Sequence, residues 1–404
     1  MSETQPQRFI GLDIHKHYCV AAGVNAQQQE VFGPIKVRNH KLKAWANTHL
    51  TKEDAIVIEM TTNTYQVHDL LLPLVHSVTV VHPPHVALIA RAQVKTDKRD
   101  ALNLAKLHAA KLLPAVWIPP QEVRDQRALV AQRWKMVQMR TVAKNRLHSF
   151  VHRGHLVPPE GGLFAAKNRS WWDELDLPET EMAVIESDLD TLAFADRQVK
   201  RFEERLGAIA AQDPRMPLLA QLPGISLVTG MTILAAVGTI ERFEHPRRLV
   251  GYAGLGGRVN QSGKHYYTGG ITKRGRKDLR HAMVEIARAA VRTHPRWKAE
   301  YERLSHRIGK HKAVVAVARK MLVVVWHILT REEVDRFASE WRVAAGLHAL
   351  AYKIGVRHLP EKSARVFVRN QLDRLGIGRE LTYIPWGSKK VKLPPSKLPP
   401  PTGD

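Results

Sequence analysis

Short apolar runs and helix-spaced stretches alternate along the first hundred residues. RFIGLDI (8–14) is an apolar run broken by Gly11 and ending near Asp13, which predicts a strand. CVAAGV (19–24) predicts its hairpin partner, and EVFGPIKV (30–37) a third strand. HKLKAWANTHL (40–50) places Leu42, Trp45 and Leu50 on one helical face. DAIVIEM (54–60) has the continuous apolar pattern of a buried strand and carries Glu59 at its end. YQVHDLLLPLV (65–75) predicts a helix, and SVTVVH (77–82) a strand before Pro83 and Pro84. A three-stranded meander followed by alternating helices and strands predicts an α/β layer fold.

Pro119 and Pro120 mark a break. From Val123 to Val151 the pattern is helical, with Val130, Trp134, Val137 and Thr141 at 4-3-4 spacing. A loop with Pro158, Pro159, Gly161 and Gly162 follows, then the pair Trp171–Trp172. Ile185, Leu189, Leu192, Val199, Phe202, Leu206 and Ile209 trace a second long stripe. Two long amphipathic helices joined by a loop predict an antiparallel pair or a coiled-coil arm. So narrow a stripe is satisfied by packing within the chain or by a subunit contact, and the latter predicts a homo-oligomer, dimer or tetramer. The expected division is 1–115, an α/β domain; 116–215, a helical arm; 216–335, a mainly helical unit with glycine punctuation; and 336–404, a basic extension. That extension ends in KKVKLPPSKLPPP (389–401). Its prolines oppose helix and central strand, so the last 18 residues are expected to be disordered, either as a solvated end or as a weak nucleic-acid contact.

Charge narrows the partners. The 404 residues hold 62 Lys and Arg against 38 Asp and Glu, a net charge of +24. Such an excess calls for a polyanion, and nucleic acid is favoured over a membrane because no basic amphipathic segment stands out. The most apolar run, MLVVVWHIL (321–329), is far shorter than the about 20 residues that span a bilayer. The single cysteine, Cys19, excludes an internal disulfide framework and any cysteine-based zinc site. The N-terminal MSETQPQRF lacks the apolar core of a signal peptide, so a soluble protein of a reducing cytoplasm is expected.

Four acids stand at meaningful points: Asp13 and Glu59 at strand ends, and Asp97 and Asp100 in KTDKRDALNLAKL (95–107). The plain interpretation of the last stretch is a charged first helical turn, with Asp97 as N-cap and Lys95, Lys98 and Arg99 as counter-charges. A strand-end Asp is, taken singly, more often a turn residue than a ligand. Glu59 after four apolar residues is less ordinary, since an acid there needs a partner. Four carboxylates meeting across a cleft would repel unless a divalent cation neutralised them. Two such ions would suit an in-line displacement at a phosphodiester.

Motifs now join the acids. GLDIHK (11–16), IEMT (58–61), VHPPHV (81–86) and KTDKRDA (95–101) follow the order and spacing of the DEDD transposases. The chain resembles this insertion-sequence family, which includes the Piv-type DNA invertases. The resemblance implies an RNase H-like (RuvC-like) N-terminal domain in which Asp13, Glu59, Asp97 and Asp100 bind Mg²⁺, with Mn²⁺ as a substitute. Lys98 and Arg99 are then released to meet nucleic-acid phosphates.

Further along, LPGISLVTGMTILAAVG (222–238) places Gly224 and Gly230 around a turn before an apolar helix. It looks like a helix-hairpin-helix, whose amides approach phosphate, or is simply a tight turn between helices. Next comes a basic stretch with Arg258, Lys264, Lys273, Arg274, Arg276, Lys277 and Arg280, one acid, Asp278, and the interleaved pair Tyr266–Tyr267. Such a loop leading into a helix is expected to cross a phosphate backbone; the alternative is a solvated charged face. Ser262 in NQSGK is by itself a turn residue. A nucleophilic serine needs activation, and His265 and His281 are near it in sequence only. Arg258, Lys264 and Arg280 could stabilise charge on a pentavalent phosphate.

PGI, the RF and LVGYAGL segments, QSGK and KRGRKDLRHAMVEIA are similar to the family's C-terminal transposase domain, whose catalytic serine falls on Ser262. The resemblance implies that Ser262 attacks the DNA backbone and carries a phosphoserine link, with the metal site assisting from another domain or subunit. HKAVVAVARKMLVVVWHIL (311–329) resembles the closing helix. The likeness spans about residues 8–335; residues 336–404 run past the family's usual end and have no assignment. The family's better-understood branch uses a structured noncoding RNA that pairs with donor and target DNA, which implies a guide RNA and action at the bacterial nucleoid. Three functions follow: a transposase or recombinase using metal and serine, a junction-type nuclease using the metal site alone, or a packaging protein without catalysis.

Overall fold

The apolar runs near the N-terminus form strands where expected. β1 (Arg8–Ile14) pairs antiparallel with β2 (Tyr18–Val24), and β2 with β3 (Glu30–Arg38). After helix α1 (Leu42–His49), β4 (Asp54–Glu59) lies parallel to β1. After α2 (Thr64–Leu71), β5 (Ser77–Val81) lies parallel to β4. The sheet order is β3-β2-β1-β4-β5, and α3 (Asp97–Ala109) follows it. This computed structural model describes residues 5–84, 86, 96–263 and 265–399. His85, Lys95 and Lys264 of the motifs above, and the last five residues, lie outside the described residues. The chain divides into two units, residues 1–120 and 121–404.

The two-residue period of the strands separates the faces of the first unit's sheet. Ile10, Leu12 and Ile14 of β1 and Ile56 and Ile58 of β4 pack with Leu42 and Trp45 of α1 and Val67 and Leu71 of α2. Burying each such side chain contributes about 1.5–3 kcal/mol. The alternate positions face α3: Phe9 meets His108 edge-on, and Val57 packs with Leu104. Gly11 sets how closely α3 lies. A Cβ at that position would fall 2.0 Å from the Ala101 carbonyl oxygen and 2.9 Å from the Ala105 nitrogen. At the other end of the same strands, Arg8 grips the fully buried Asp54 in bidentate fashion (Nε–Oδ1 2.6 Å, Nη2–Oδ2 2.7 Å), and Asp54 also accepts from the Thr51 amide.

In the second unit, α4 (Gln121–Arg153) and α6 (Glu179–Ala210) flank the short α5 (Arg169–Asp173). Ion pairs Arg133–Glu203, Arg140–Asp196 and Arg146–Asp188 show that α4 and α6 run antiparallel. Ala143, Leu147, Phe150, Ile185, Leu189 and Leu192 fill the space between them. The expected stripe on α4 needs correction. Val130 is buried, but Trp134 and Thr141 are exposed, and the buried series continues through Met136, Ala143 and Leu147. The reason is that α4 faces more than one neighbour: Trp134 and Val137 instead wall a groove of about 750 Å³ together with Val228, Thr229, His281 and Ala282.

The rest of the unit comprises α7 (Arg215–Ala220), α8 (Leu227–Val237), α9 (Pro246–Tyr252), the hairpin β6 (Gly257–Ser262) and β7 (His265–Ile271), α10 (Lys277–Thr293), α11 (Pro295–Ile308), α12 (Lys310–Arg331), α13 (Glu340–Ile354), α14 (Ala364–Arg374) and the ribbon β8 (Tyr383–Trp386) and β9 (Lys389–Lys392). The apolar run at 321–329 belongs to the 22-residue α12, which is long and apolar enough to cross a membrane by length and composition. Its Val317, Met321, Leu322, Val325 and Ile328 are instead packed into the core. The same core includes Leu347, Ile354, Phe367, Leu372, Ile384 and Leu393, so the extension after residue 335 packs with the helices before it.

The expectation of disorder over the last 18 residues is also corrected for residues 387–399. Lys389–Lys392 pairs with β8, Leu393 is buried, and the Ser396 hydroxyl donates to Asp373. The buried Arg369 donates to the Pro394 carbonyl (Nε, 2.8 Å), the Gly378 carbonyl (Nη1, 2.8 Å) and the Leu381 carbonyl. Proline lacks an N–H but keeps its carbonyl, so a proline-rich strand can still be held through its acceptors.

Candidate active site

Parallel pairing of Leu12 with Ile58 sets Asp13 and Glu59, the next residue of each strand, side by side at the strand ends. Both lie on the face covered by α3, and Asp97 and Asp100 are in the first turn of that helix. Asp97 is not the N-cap. Thr96 caps α3, its hydroxyl accepting from the Arg99 amide at 3.3 Å. The Asp97 carboxylate is thereby left to reach the sheet, where its Oδ2 accepts from the Tyr18 hydroxyl at 2.8 Å.

His15, two residues after Asp13, joins the acids. Its Nε2 is 3.1 Å from Asp13 Oδ2 and 3.4 Å from Asp97 Oδ1. The ligand atoms of Asp13, His15 and Asp97 all lie within 4.8 Å of one another. The His15 ring packs on Tyr18, and the Lys36 ammonium sits over the Tyr18 ring, 3.6 Å from its centre. A cleft of about 400 Å³ opens beside the cluster, lined by Ile14, His15, Lys16, Thr61, Thr62 and Asn63.

The electrostatics agree with the geometry. Burial holds the Asp13 carboxyl above the usual range; His15 opposes that shift, and the like charges of Asp100 and Asp97 add to it. Asp97 is held low, chiefly by the Tyr18 hydrogen bond. Two carboxylates and an imidazole converging at this spacing form a donor set that a divalent cation takes, and a cation would relieve the repulsion that burdens Asp13. His15 and Tyr18 were missed in the sequence. A signal for His15 was present, because residues two apart in an extended chain share a face. Tyr18 had none, since its role depends on β2 folding back beside α3.

Ser262 stands elsewhere, in the second unit. It closes β6 and is paired with His265 of β7 across a turn that contains Gly263 (φ 56°). Asn260 opposes Tyr267 and Gln261 opposes Tyr266, and every residue of β6 is exposed. Arg258, Lys273, Arg274 and Lys277 are exposed, as are Lys98 and Arg99 on α3. Two other expected phosphate contacts are engaged within the protein. Arg276 chelates Asp278 (Nε–Oδ1 3.0 Å, Nη2–Oδ2 2.5 Å), and Arg280 donates to the Ala253 carbonyl at 2.9 Å. Burial alone would raise the Asp278 carboxyl, but the Arg276 guanidinium holds it low. In the turn before α8, Gly224 (φ 86°) packs against α10, where a Cβ would meet the Ile286 carbonyl at 2.6 Å. Ser226 and Thr229 form a capping box on α8.

Comparison with known proteins gives the class. Residues 10–155 match a family model described as a transposase, of the DEDD kind, and residues 216–302 match one described as "Transposase IS116/IS110/IS902 family". The chain is 25% identical over 345 residues to the transposase for insertion sequence element IS1111A of Coxiella burnetii, covering 81% of this chain and 91% of that one. It is 25% identical over 336 residues to the pilin gene-inverting protein of Moraxella bovis, covering 80% and 95%. It is 25% identical over 268 residues to the transposase for insertion sequence element IS1328 of Yersinia enterocolitica, covering 63% and 78%. With both of its transposase domains matched, the chain belongs to the IS116/IS110/IS902 family of insertion-sequence transposases.

Proposed function

We propose that this transposase cuts and rejoins DNA with two groups of residues, a divalent-metal cluster of Asp13, Glu59, Asp97 and Asp100, and a nucleophile, Ser262. The observation that carries the metal half is the convergence of Asp13, His15 and Asp97 within 4.8 Å at adjacent strand ends. The sheet order β3-β2-β1-β4-β5, with an antiparallel meander leading into parallel strands, supports the RNase H-like character of the first unit. When bound, Mg²⁺, or Mn²⁺ in its place, supplies charge neutralisation at a phosphodiester and activation of an attacking oxygen. The protein's own part is positional. Tyr18 orients Asp97, His15 bridges Asp97 and Asp13, and Gly11 allows α3 to lie close enough for its first turn to meet the strand ends.

The serine half rests on the exposed hairpin and the cations around it. Arg258, Lys273 and Arg274 are exposed at the base of the same hairpin, which supports their holding backbone phosphates of a strand that runs along the ribbon toward Ser262. The net charge of +24 supports binding of polyanions, read here as donor DNA, target DNA and a noncoding guide RNA. Exposed Val142, Val184 and Phe194 on the α4–α6 pair support a contact between subunits.

The test is recombination of a donor plasmid carrying the gene with its native flanking DNA. Asp13→Asn and Asp97→Asn are expected to abolish strand cutting while gel-shift binding persists. Ser262→Ala is expected to abolish rejoining and the covalent protein–DNA adduct. Continued cutting by the Asp variants would remove the metal half. Full recombination by Ser262→Ala would reduce the serine to a turn residue.

A further inference from the structure

The hairpin register pairs the serine with a residue of suitable chemistry. We propose that His265 is the general base that activates Ser262, an inference that rests on the nucleophilic role proposed above for that serine. Ser262 and His265 are direct cross-strand partners at the end of the β6–β7 hairpin. Opposed residues of an antiparallel pair point to the same face, with Cβ atoms about 5 Å apart. A histidine ring at that spacing reaches a facing serine hydroxyl by side-chain rotation alone. The next pair toward the base, Gln261 and Tyr266, points to the opposite face, and the two-residue alternation returns the pair after it, Asn260 and Tyr267, to the face of Ser262 and His265. The Ser262–His265 face thus continues into a polar, hydrogen-bonding surface rather than into the core.

Three further observations favour this pairing. β6 is exposed along its whole length and His265 is exposed, so neither side chain is committed to packing. Several other basic groups of this stretch are engaged elsewhere. Arg276 and Arg280 are held by Asp278 and the Ala253 carbonyl, while His281 lies on α10 lining the groove with Trp134. Gly263 supplies the positive φ that lets so short a turn close, which fixes Ser262 and His265 as the last pair.

The step balances without an added reagent. The Ser262 Oγ–H donates to an imidazole nitrogen of His265, and its proton passes there as an Oγ lone pair forms the bond to phosphorus. The bond from phosphorus to one sugar oxygen breaks, its electron pair remains on that oxygen, and solvent supplies the proton. In rejoining, a sugar hydroxyl attacks the phosphoserine and gives its proton to solvent, the Oγ–P bond breaks, and the His265 imidazolium returns its proton to Oγ. General-base help of this kind is worth about 10²–10⁴-fold in rate.

The experiment uses the full-length chain in cell extract with the gene-plus-flanks plasmid and measures covalent protein–DNA adduct by detergent precipitation. His265→Ala is expected to slow adduct formation by about 10²-fold or more while gel-shift binding of the plasmid fragment is unchanged, and added imidazole to restore part of the rate. Adduct formation by His265→Ala at the wild-type rate would overturn the proposal and leave the nucleophile standing. Loss of adduct together with loss of binding, unrescued by imidazole, would make His265 a DNA contact and also overturn it. A wild-type protein without any Ser262-dependent adduct would remove the nucleophile, and the base with it.

Discussion

The carboxylate cluster and the serine hairpin are built in opposite ways. Asp13 and Glu59 end buried strands, and the helix that brings Asp97 is seated against Gly11 with no room for a methyl group. Ser262 stands on a two-stranded ribbon whose first strand is exposed throughout. The acids must hold a fixed spacing if they are to share a cation, and a buried sheet provides it. A serine that is to meet a long flexible polymer, as proposed for Ser262, needs access, and an exposed ribbon gives it with little packing to disturb.

The contrast breaks most severely at Gly11. Gly11→Val should destabilise the first unit by more than about 3 kcal/mol, because α3 must move or the strand must bend. Hydrogen exchange of the β1 and β4 amides would report it, and unchanged protection would show that α3 has slack. A smaller effect is expected from acid. Burial pushes the His108 imidazole down to about 4, and its Nε2 has no hydrogen-bond partner. The unfolded chain takes up a proton below about pH 6.5. His108 therefore contributes no loss above that pH, and its site loses stability as the pH falls from about 6.5 to 4, by up to about 3 kcal/mol. His108→Phe should flatten this fall, measured as the difference in β1 exchange protection between pH 7 and pH 5. The least effect is expected on the ribbon. A Cβ at Gly257 meets nothing within 4 Å, so Gly257→Ala should leave stability within about 0.5 kcal/mol by urea unfolding. A large loss there would show that the ribbon is as tightly built as the sheet.

The difference also governs what could be foreseen. The strand ends at Asp13 and Glu59 were legible because continuous apolar runs stop there. That β1 lies beside β4 was not, since pairing order is a property of the whole sheet. The place of Tyr18 was hidden for the same reason. Trp134 was misplaced because a helix with several neighbours carries more than one apolar stripe, and periodicity alone does not say which faces which. Ser262 was visible only through its motif. The basic stretch around it was visible as charge, but which arginines are tied to Asp278 and Ala253 depends on the turn before α10.

The Arg369 clamp has a practical side. Its guanidinium gathers carbonyls at residues 378, 381 and 394, so the C-terminal segment works as a fastened buckle. A shortened version ending between residues 381 and 393 would keep the buckle's pin and lose part of its frame, leaving a buried cation without its Pro394 acceptor. An added domain or purification tag would do better attached after residue 399, where the fastening is already complete.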